Sequence, residues 1–295
     1  MNTDLFDMIS TFVGADFLKP PDTLFHYTCP NGLLGIIRNQ SLRASNMRYL
    51  NDTTEFTYIL DLYRDEFHKR KFSKLLGQYE EFADALRSPS AGGYFVCSFS
   101  ENPDQLSQWR AYCSPHSGYS IGFKSNPLSE CALQNNGVLA RCIYDKKKQR
   151  VLIHKTMEEF ISSIQEKYAE SNNVNDLKLR ILEQDFIIML STIFQIIALA
   201  PLFKHPAFQE EKEWRLIIPR RIGKPGIKFR VSRELIVPYT EVDLREKEQS
   251  IPISEIIVGP TPHPQELRSA IESLCKHEGL EEINVKLSSC PFRSW

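Results

Sequence analysis

Hydrophobic and polar residues follow two different periodicities along the chain. Aromatic and β-branched residues in alternation predict short strands, for example over 24–28, 92–100, 118–123 and 213–219. Apolar residues three and four apart predict helices between the strands. These helical stretches cover 1–20, 32–39 with Asn31 as the N-terminal cap, 55–87, 103–113, 151–203 and 264–279. About eight or nine strands mixed irregularly with helices indicate an α+β fold rather than a regular βαβ series.

The longest helical stretch interrupts the β-rich order on both of its sides. We therefore expect a single domain over 1–295 with a helical insertion at about 150–205. Within it, residues 186–203 contain no charge, and their eighteen residues reach the lower edge of a membrane-spanning length. Ser191, Gln195 and other polar residues dilute the segment, and no basic cluster flanks it. A buried helix is the preferred interpretation, and no membrane partner is expected.

Charge and cysteine content narrow the function classes. The chain has 36 Lys+Arg against 37 Asp+Glu, which argues against a bulk electrostatic binder of nucleic acid or membranes. Two basic clusters, 145–150 and 219–230, are interpreted as solvated faces; the alternative is a nucleic-acid surface with stacking from Trp109, Tyr112 and Tyr119. Seven scattered cysteines without a C-x-x-C pair, and an N-terminus without a basic segment, favour a reducing cytoplasm.

Two motifs with catalytic or metal-binding spacing are interpreted as coincidences. The segment 118–122 reads G-x-S-x-G, but its residues alternate as in a strand, and Asn126-Pro127 should prevent the helix that a nucleophile elbow needs. A serine hydrolase using Ser120 is therefore a distant alternative. Cys113-x-x-His116 has zinc-ligand spacing without a second pair, so no metal is expected. Neither a dinucleotide-binding G-x-G-x-x-G nor a P-loop occurs.

Two sets of polar residues on predicted strands are candidates for ligand binding or catalysis. His26-Tyr27-Thr28 lies at a strand–helix junction, where side chain and backbone can contact a ligand; the alternative is an edge strand with a satisfied histidine. Residues 210–213 read EEKE and lead into an apolar strand. Such a charge run is usually a solvated face. However, a glutamate that opens an apolar strand can be held in place, where it orients a hydroxyl and stabilises a developing cation.

Four ordered segments resemble bacterial proteins catalogued as domain of unknown function 2971. They span most of 24–293 and omit only the variable helical regions. The segments are FHYTCPNGLLGIIRNQSLRASNMRYLND, YFVCSFSENPDQLSQWRAYCSPHSGYSIGF, FKHPAFQEEKEWRLIIP and ISEIIVGPTPHPQELRSAI.

A second, more distant resemblance is to ADP-ribosyltransferases. LFHYT, the helix after it and LRAS are similar to the opening of that fold, and GGYFVCSFSEN is similar to its second NAD-binding strand. EKEWRLII resembles the strand that begins with the catalytic glutamate. The resemblance implies an ADP-ribosyltransferase-like split mixed β-sheet, interrupted by the helical insertion.

The same resemblance implies roles for individual residues toward NAD as substrate. His26, Tyr27 and Thr28 would contact its ribose and nicotinamide. Glu213 would bind the ribose 2′-hydroxyl and stabilise the oxocarbenium-like transition state, and Glu211 would assist the acceptor. Strand alternation would place Glu211, Glu213 and Arg215 on one face, with Arg215 against a phosphate, and would send Glu210 and the core residue Trp214 to the other. The nicotinamide pocket would be lined by Tyr94 or by Ser98 and Ser100, with Tyr112 as a stacking face.

The expected activity is therefore cleavage of the nicotinamide–ribose bond, with transfer of ADP-ribose to a macromolecular acceptor or to water. The resemblance extends this to bacterial toxicity or phage defence. The acceptor, protein or nucleic acid, stays open. The competing class is a non-catalytic member of the same fold that senses a ligand or a partner.

Overall fold

A computed structural model describes most of the chain. The described residues are 5–50, 55–70, 80, 83, 93–113, 117–167, 195–220, 223, 225–232, 234–245 and 251–291. The helices are α1 (Leu5–Val13), α2 (Pro30–Asn39), α3 (Glu55–Lys69), α4 (Leu106–Tyr112), α5 (Ser125–Gln134), α6 (Lys146–Lys167) and α7 (Pro264–His277). The strands are β1 (Thr23–Thr28), β2 (Ser41–Asn46), β3 (Gly93–Ser100), β4 (Tyr119–Lys124), β5 (Val138–Arg141), β6 (Glu213–Arg220), β7 (Ile227–Ser232), β8 (Leu235–Asp243), β9 (Ile253–Val258) and β10 (Asn284–Leu287).

The ten described strands form one mixed sheet that branches at β3. One edge of β3 pairs with β6 along its whole length, and β6 continues to β5. The other edge is shared by two strands: β1 pairs there at Ser100, and β2 pairs at Phe95 and Val96. From β1 the sheet runs to β4, β9 and β10, and from β2 it runs to β8 and β7. Among the described strands, only β9 and β10 pair in parallel.

Side chains alternate along each central strand, so apolar residues project from both faces of the sheet. Helices cover both of these faces. Val96 of β3 and Ile217 of β6 pack under α1, α3 and α6. Phe95 and Cys97, their neighbours on β3, pack with α2, α5 and α7 on the opposite face. A smaller cluster below α4 contains Phe25, Tyr27, Trp109 and Ile257. The fold is thus mixed α and β with a large mixed sheet and several helices, as predicted at that level.

The described ends of the predicted helical insertion are helical. Helix α6 covers its start, residues 195–199 are helical near its end, and 168–194 lie outside the described residues. Both described parts pack on β3, β5 and β6. No helix in the described part of the chain is long and apolar enough to cross a membrane.

Two predictions about helix starts were wrong. Helix α2 begins at Pro30, so Cys29 and not Asn31 occupies the cap position. Helix α5 begins at Ser125, so Asn126-Pro127 does not prevent a helix. Proline is tolerated in the first helical turn, because the amide that it lacks has no intrahelical partner there. The described strands also number ten rather than eight or nine.

Candidate functional site

The predicted catalytic glutamate begins β6 at the point where the sheet branches. A 3₁₀ helix, Pro206–Glu211, ends at Lys212, whose left-handed backbone (φ 42°) turns the chain into the strand. Glu213 is then directly opposite Ser100, the residue at which β1 joins β3. Its backbone amide donates to Tyr144 Oη at 3.0 Å, which fixes the start of the strand.

Two cations enclose the Glu213 carboxylate. Arg215 donates from Nε to Oε1 (2.8 Å) and from Nη2 to Oε2 (3.0 Å), which is a bidentate ion pair. Lys204 Nζ binds Oε2 as well, and it also binds Glu211 Oε2. Arg215 Nη1 donates to the carbonyl of Pro201 at 2.8 Å. We call Lys204, Glu211, Glu213 and Arg215 the buried ion cluster.

The buried ion cluster keeps Glu213 ionised. Only 4% of Glu213 is exposed, and burial by itself raises the pKa of a carboxyl group. Arg215 and Lys204 outweigh that burial and lower the pKa of Glu213. The carboxylate is thus charged, rigidly held and nearly closed off from solvent.

The two predicted glutamates do converge, but for a different reason than strand alternation. Glu211 belongs to the 3₁₀ helix and not to β6, and Lys204 draws its carboxylate to the same place as that of Glu213. Glu210 is exposed and lines a surface pocket instead. Trp214 points into the core on the opposite face, as expected. Arg215 shares the face of Glu213, but its guanidinium binds that glutamate.

His26 lies in the split between β1 and β2. Its Nδ1 is 2.9 Å from the carbonyl oxygen of Ser98, an acceptor, so Nδ1–H is the donor and Nε2 carries the lone pair when the ring is neutral. Burial lowers the pKa of His26, and the Ser98 carbonyl raises it by a smaller amount. The neutral ring therefore fills the gap left where the two strands share one edge of β3.

The sheet places the predicted residues on two faces. Ser98 and Ser100 are paired with Arg215 and Glu213, and directly opposite residues of antiparallel strands share a face. The His26 ring contacts the Phe99 ring (5.7 Å between centroids), which belongs to the other face. The structure thus brings Ser98, Ser100, Glu211 and Glu213 together and does not place the His26 side chain with them.

Tyr27 and Thr28 are engaged by neighbouring segments. Tyr27 Oη donates to the Asn102 carbonyl (2.8 Å), accepts from the Gln105 amide (3.0 Å), and its ring packs edge-on against Trp109. Burial raises the pKa of Tyr27 above its ordinary value. The Thr28 side chain lies against α2, and the Thr28 carbonyl accepts from Cys113 Sγ at 3.5 Å. Both residues connect β1 to adjacent elements.

The remaining predicted residues lie around this centre. Ser100 Oγ donates to the Glu211 carbonyl at 2.7 Å and so ties β3 to the turn before β6. Tyr94 is half-buried, and burial raises its pKa to about 12. Tyr112 is exposed at the end of α4. A surface pocket of about 570 Å³ next to it is lined by Gln105, Leu106, Ser107, Arg110, Ala111 and Glu210.

Comparison with known proteins gives one match. Residues 108–216 match the family model described as Protein of unknown function (DUF2971). This DUF2971 segment contains the whole buried ion cluster but not His26 or the β3 serines. It supports the family resemblance over that part of the chain. No curated protein and no solved structure matches the chain.

Ser120 also lies in the DUF2971 segment. It is 0% exposed and is the second residue of β4, between Tyr27 of β1 and Ile257 of β9. A helix does follow, but it begins five residues later, and a nucleophile elbow needs its serine exposed on the turn itself. The position of Ser120 is that of a core strand residue.

Sequence reasoning missed Lys204 as a site residue. Lys204 is buried and holds two carboxylates, although it precedes Glu213 by nine residues in an irregular segment. One signal was present: it is the first charged residue after the charge-free run 186–203. A charge at such a position needs a partner when the segment is buried. Among the described residues, no group of three or more His, Cys, Asp or Glu can hold a metal ion.

Proposed function

We propose that the protein consumes NAD, as an ADP-ribosyltransferase or an NAD glycohydrolase built on an ADP-ribosyltransferase-like sheet. The observation that supports this proposal is the branch point of the sheet. There β1 and β2 share one edge of β3, and an ionised glutamate begins the strand on the other edge, opposite Ser100. Phe25, Ser100 and Glu213 are consecutive across the sheet, so β1 and β6 are about two strand spacings, ~10 Å, apart.

In this proposal Glu213 accepts a hydrogen bond from the ribose 2′-hydroxyl as the nicotinamide–ribose bond breaks. Its negative charge stabilises the cation that develops on the ribose, and Arg215 keeps the carboxylate in one orientation. Ser98 and Ser100 lie on the same face and would line the nicotinamide side. Binding requires Glu213 to release one partner, and Lys204 is the partner that retains a second carboxylate, Glu211.

A non-catalytic, ligand- or partner-sensing protein is the second candidate. The observation that favours it is the same ion cluster: both Glu213 oxygens are ion-paired and the residue is almost fully buried. A carboxylate neutralised by two cations stabilises a developing cation less than an unpaired one does. The two candidates differ in one measurable property, which is turnover of NAD.

Release of nicotinamide from NAD by the purified protein tests the proposal. We expect Glu213→Gln to reduce turnover by about 100-fold or more, because the fixed charge is lost. Glu210→Gln is the matched control, since it makes the same chemical change on an exposed neighbour and should leave turnover near wild type. Glu211→Gln should reduce transfer more than hydrolysis. The acceptor is identified by labelling a whole-cell lysate with NAD and separating protein, RNA and DNA.

Folding must be separated from chemistry, because Glu213→Gln removes the carboxylate that binds the buried Arg215 and leaves Lys204 with Glu211. The double variant Lys204→Met/Glu213→Gln removes one charge of each sign and keeps the cluster balanced. Thermal unfolding of each variant shows whether it is folded at the assay temperature. Folded wild-type protein that releases no nicotinamide would decide for the non-catalytic candidate. Active wild-type protein whose folded Glu213→Gln variant turns over as fast as Glu210→Gln would instead remove Glu213 from the catalytic site.

A further inference from the structure

An arginine on the outer strand of the sheet reaches back toward the split. Arg230 lies on β7, and its side chain crosses β8 so that Nη2 donates to Ser45 Oγ on β2 at 3.1 Å. Its Nε is buried and has no hydrogen-bond partner in the described part of the chain. Arg230 belongs to the basic cluster 219–230, but its half-buried side chain is not part of a solvated face.

A second guanidinium lies next to it. Arg43 of β2 is exposed and stacks over the Tyr239 ring, 5.2 Å from its centroid. Within the described residues, no carboxylate lies within salt-bridge distance of Arg230 or Arg43; Glu241, the cross-strand neighbour of Arg43, binds Lys228 at 2.6 Å instead. Burial and the charge of Arg43 both lower the pKa of Arg230. Two neighbouring cations repel each other, and an anion bound between them offsets this repulsion.

The N-terminus of α2 lies near Arg230. Cys29, its cap residue, is close enough to interact electrostatically with Arg230, and it provides no side-chain cap. The cap residue therefore offers the first amides of this ten-residue helix no side-chain acceptor, and a helix N-terminus favours negative charge. This feature adds to the two guanidinium groups but does not define the site alone.

We propose that Arg230 and Arg43, with the Ser45 hydroxyl, form a binding site for a phosphate group at the split between β1 and β2. Arginine donates charge-assisted hydrogen bonds to phosphate oxygens, and Arg230 Nη2 lies beside the Ser45 hydroxyl, on the strand that also carries the exposed Arg43. The site goes beyond the proposed function, because phosphate binding does not need Glu213 to be catalytic. Its ligand is a phosphate or diphosphate, free or within a nucleotide.

Calorimetric titration of the full chain with inorganic pyrophosphate tests this site. We expect wild-type protein to bind at millimolar or lower concentration and to bind more weakly as salt is added. Arg230→Gln should weaken binding by about tenfold or more, since charge-assisted hydrogen bonds are lost. Arg43→Gln should weaken it severalfold, and this exposed residue can be changed without disturbing folding. Arg268→Gln, an exposed arginine of α7, removes the same charge elsewhere and should bind like wild type.

Each outcome has one meaning. No binding by wild-type protein up to about 10 mM pyrophosphate, or equal weakening by Arg43→Gln and Arg268→Gln, would overturn the site. Parallel titrations with NAD, ADP-ribose and nicotinamide riboside distinguish a nucleotide diphosphate from a free one, because only the riboside lacks phosphate. If the protein binds pyrophosphate but releases no nicotinamide from NAD, this site stands and the proposed function falls. If it releases nicotinamide but does not bind pyrophosphate, the proposed function stands and this site falls.

Discussion

At the scale of single residues, the buried ion cluster is the strongest electrostatic feature. Residues two apart on a strand share a face, so the proximity of Glu213 and Arg215 could be predicted from the sequence. Lys204 was not predictable in that way, because its contact with Glu213 depends on how an irregular segment folds back over β6. Buried ion pairs contribute little compared with apolar residues, but removal of one partner leaves a charge that is costly to bury.

Lys204→Met is therefore expected to destabilise the protein by roughly 3–5 kcal/mol, because Glu211 and Glu213 lose a shared cation. The measurement is the free energy of unfolding in urea. Lys286→Met breaks a partly exposed pair with Glu255 (2.7 Å) and should change stability by less than about 1 kcal/mol. Equal effects of the two variants would show that the cluster is not buried.

The contribution of Glu213 also has a defined pH dependence. Its pKa in the folded protein is lowered from 4.5 to about 2. A lowered folded-state pKa gives stability that is present above the unfolded value and lost as pH falls. The free-energy difference between wild type and Glu213→Gln should therefore be constant above about pH 5 and shrink toward pH 2. A difference that grows on acidification contradicts this account.

At the scale of elements, the strands that build the branch point were predictable and their partners were not. Alternation in 24–28, 92–100 and 213–219 identified β1, β3 and β6 to within about a residue. The sharing of one β3 edge by β1 and β2 depends on contacts between distant segments, which local periodicity does not encode. Helix α5 was missed because the rule that proline stops a helix applies to its interior and not to its first turn.

Two glycines show how the packing around a residue decides whether a glycine-to-alanine substitution stabilises or destabilises the protein. A Cβ on Gly137, between α5 and β5, would lie 2.3 Å from the Ile217 carbonyl oxygen of β6. Gly137→Ala should therefore destabilise by about 1–3 kcal/mol, since β5 must move from β6. A Cβ on Gly35 of α2 meets no atom within 4 Å, so Gly35→Ala should stabilise by about 0.5–1 kcal/mol. Thermal unfolding of both variants checks the opposite signs.

At the scale of the whole molecule, one sheet separates two hydrophobic cores, and its outer strand β7 lies at the edge of the described sheet. The predicted mixture of strands and helices is confirmed, whereas the layer of helices on each face could not be assigned from sequence. β7 is the last strand on its side of the described sheet. Its hairpin with β8 carries exposed Phe229, Val231, Leu235 and Ile236. An apolar outer strand of this kind is an association hazard.

The last prediction concerns that hairpin. Val231 and Ile236 form a cross-strand pair and are 76% and 68% exposed, so they add apolar surface without adding to the core. Val231→Thr/Ile236→Thr keeps the β-branching that favours strands, and unfolding free energy should change by less than about 0.5 kcal/mol. Sedimentation at rising concentration and binding of a hydrophobic dye should both show less association than wild type. Val151→Thr, on an exposed position of α6, is the matched control and should change neither readout. A large loss of stability in the double variant would instead mean that the hairpin face is packed in solution.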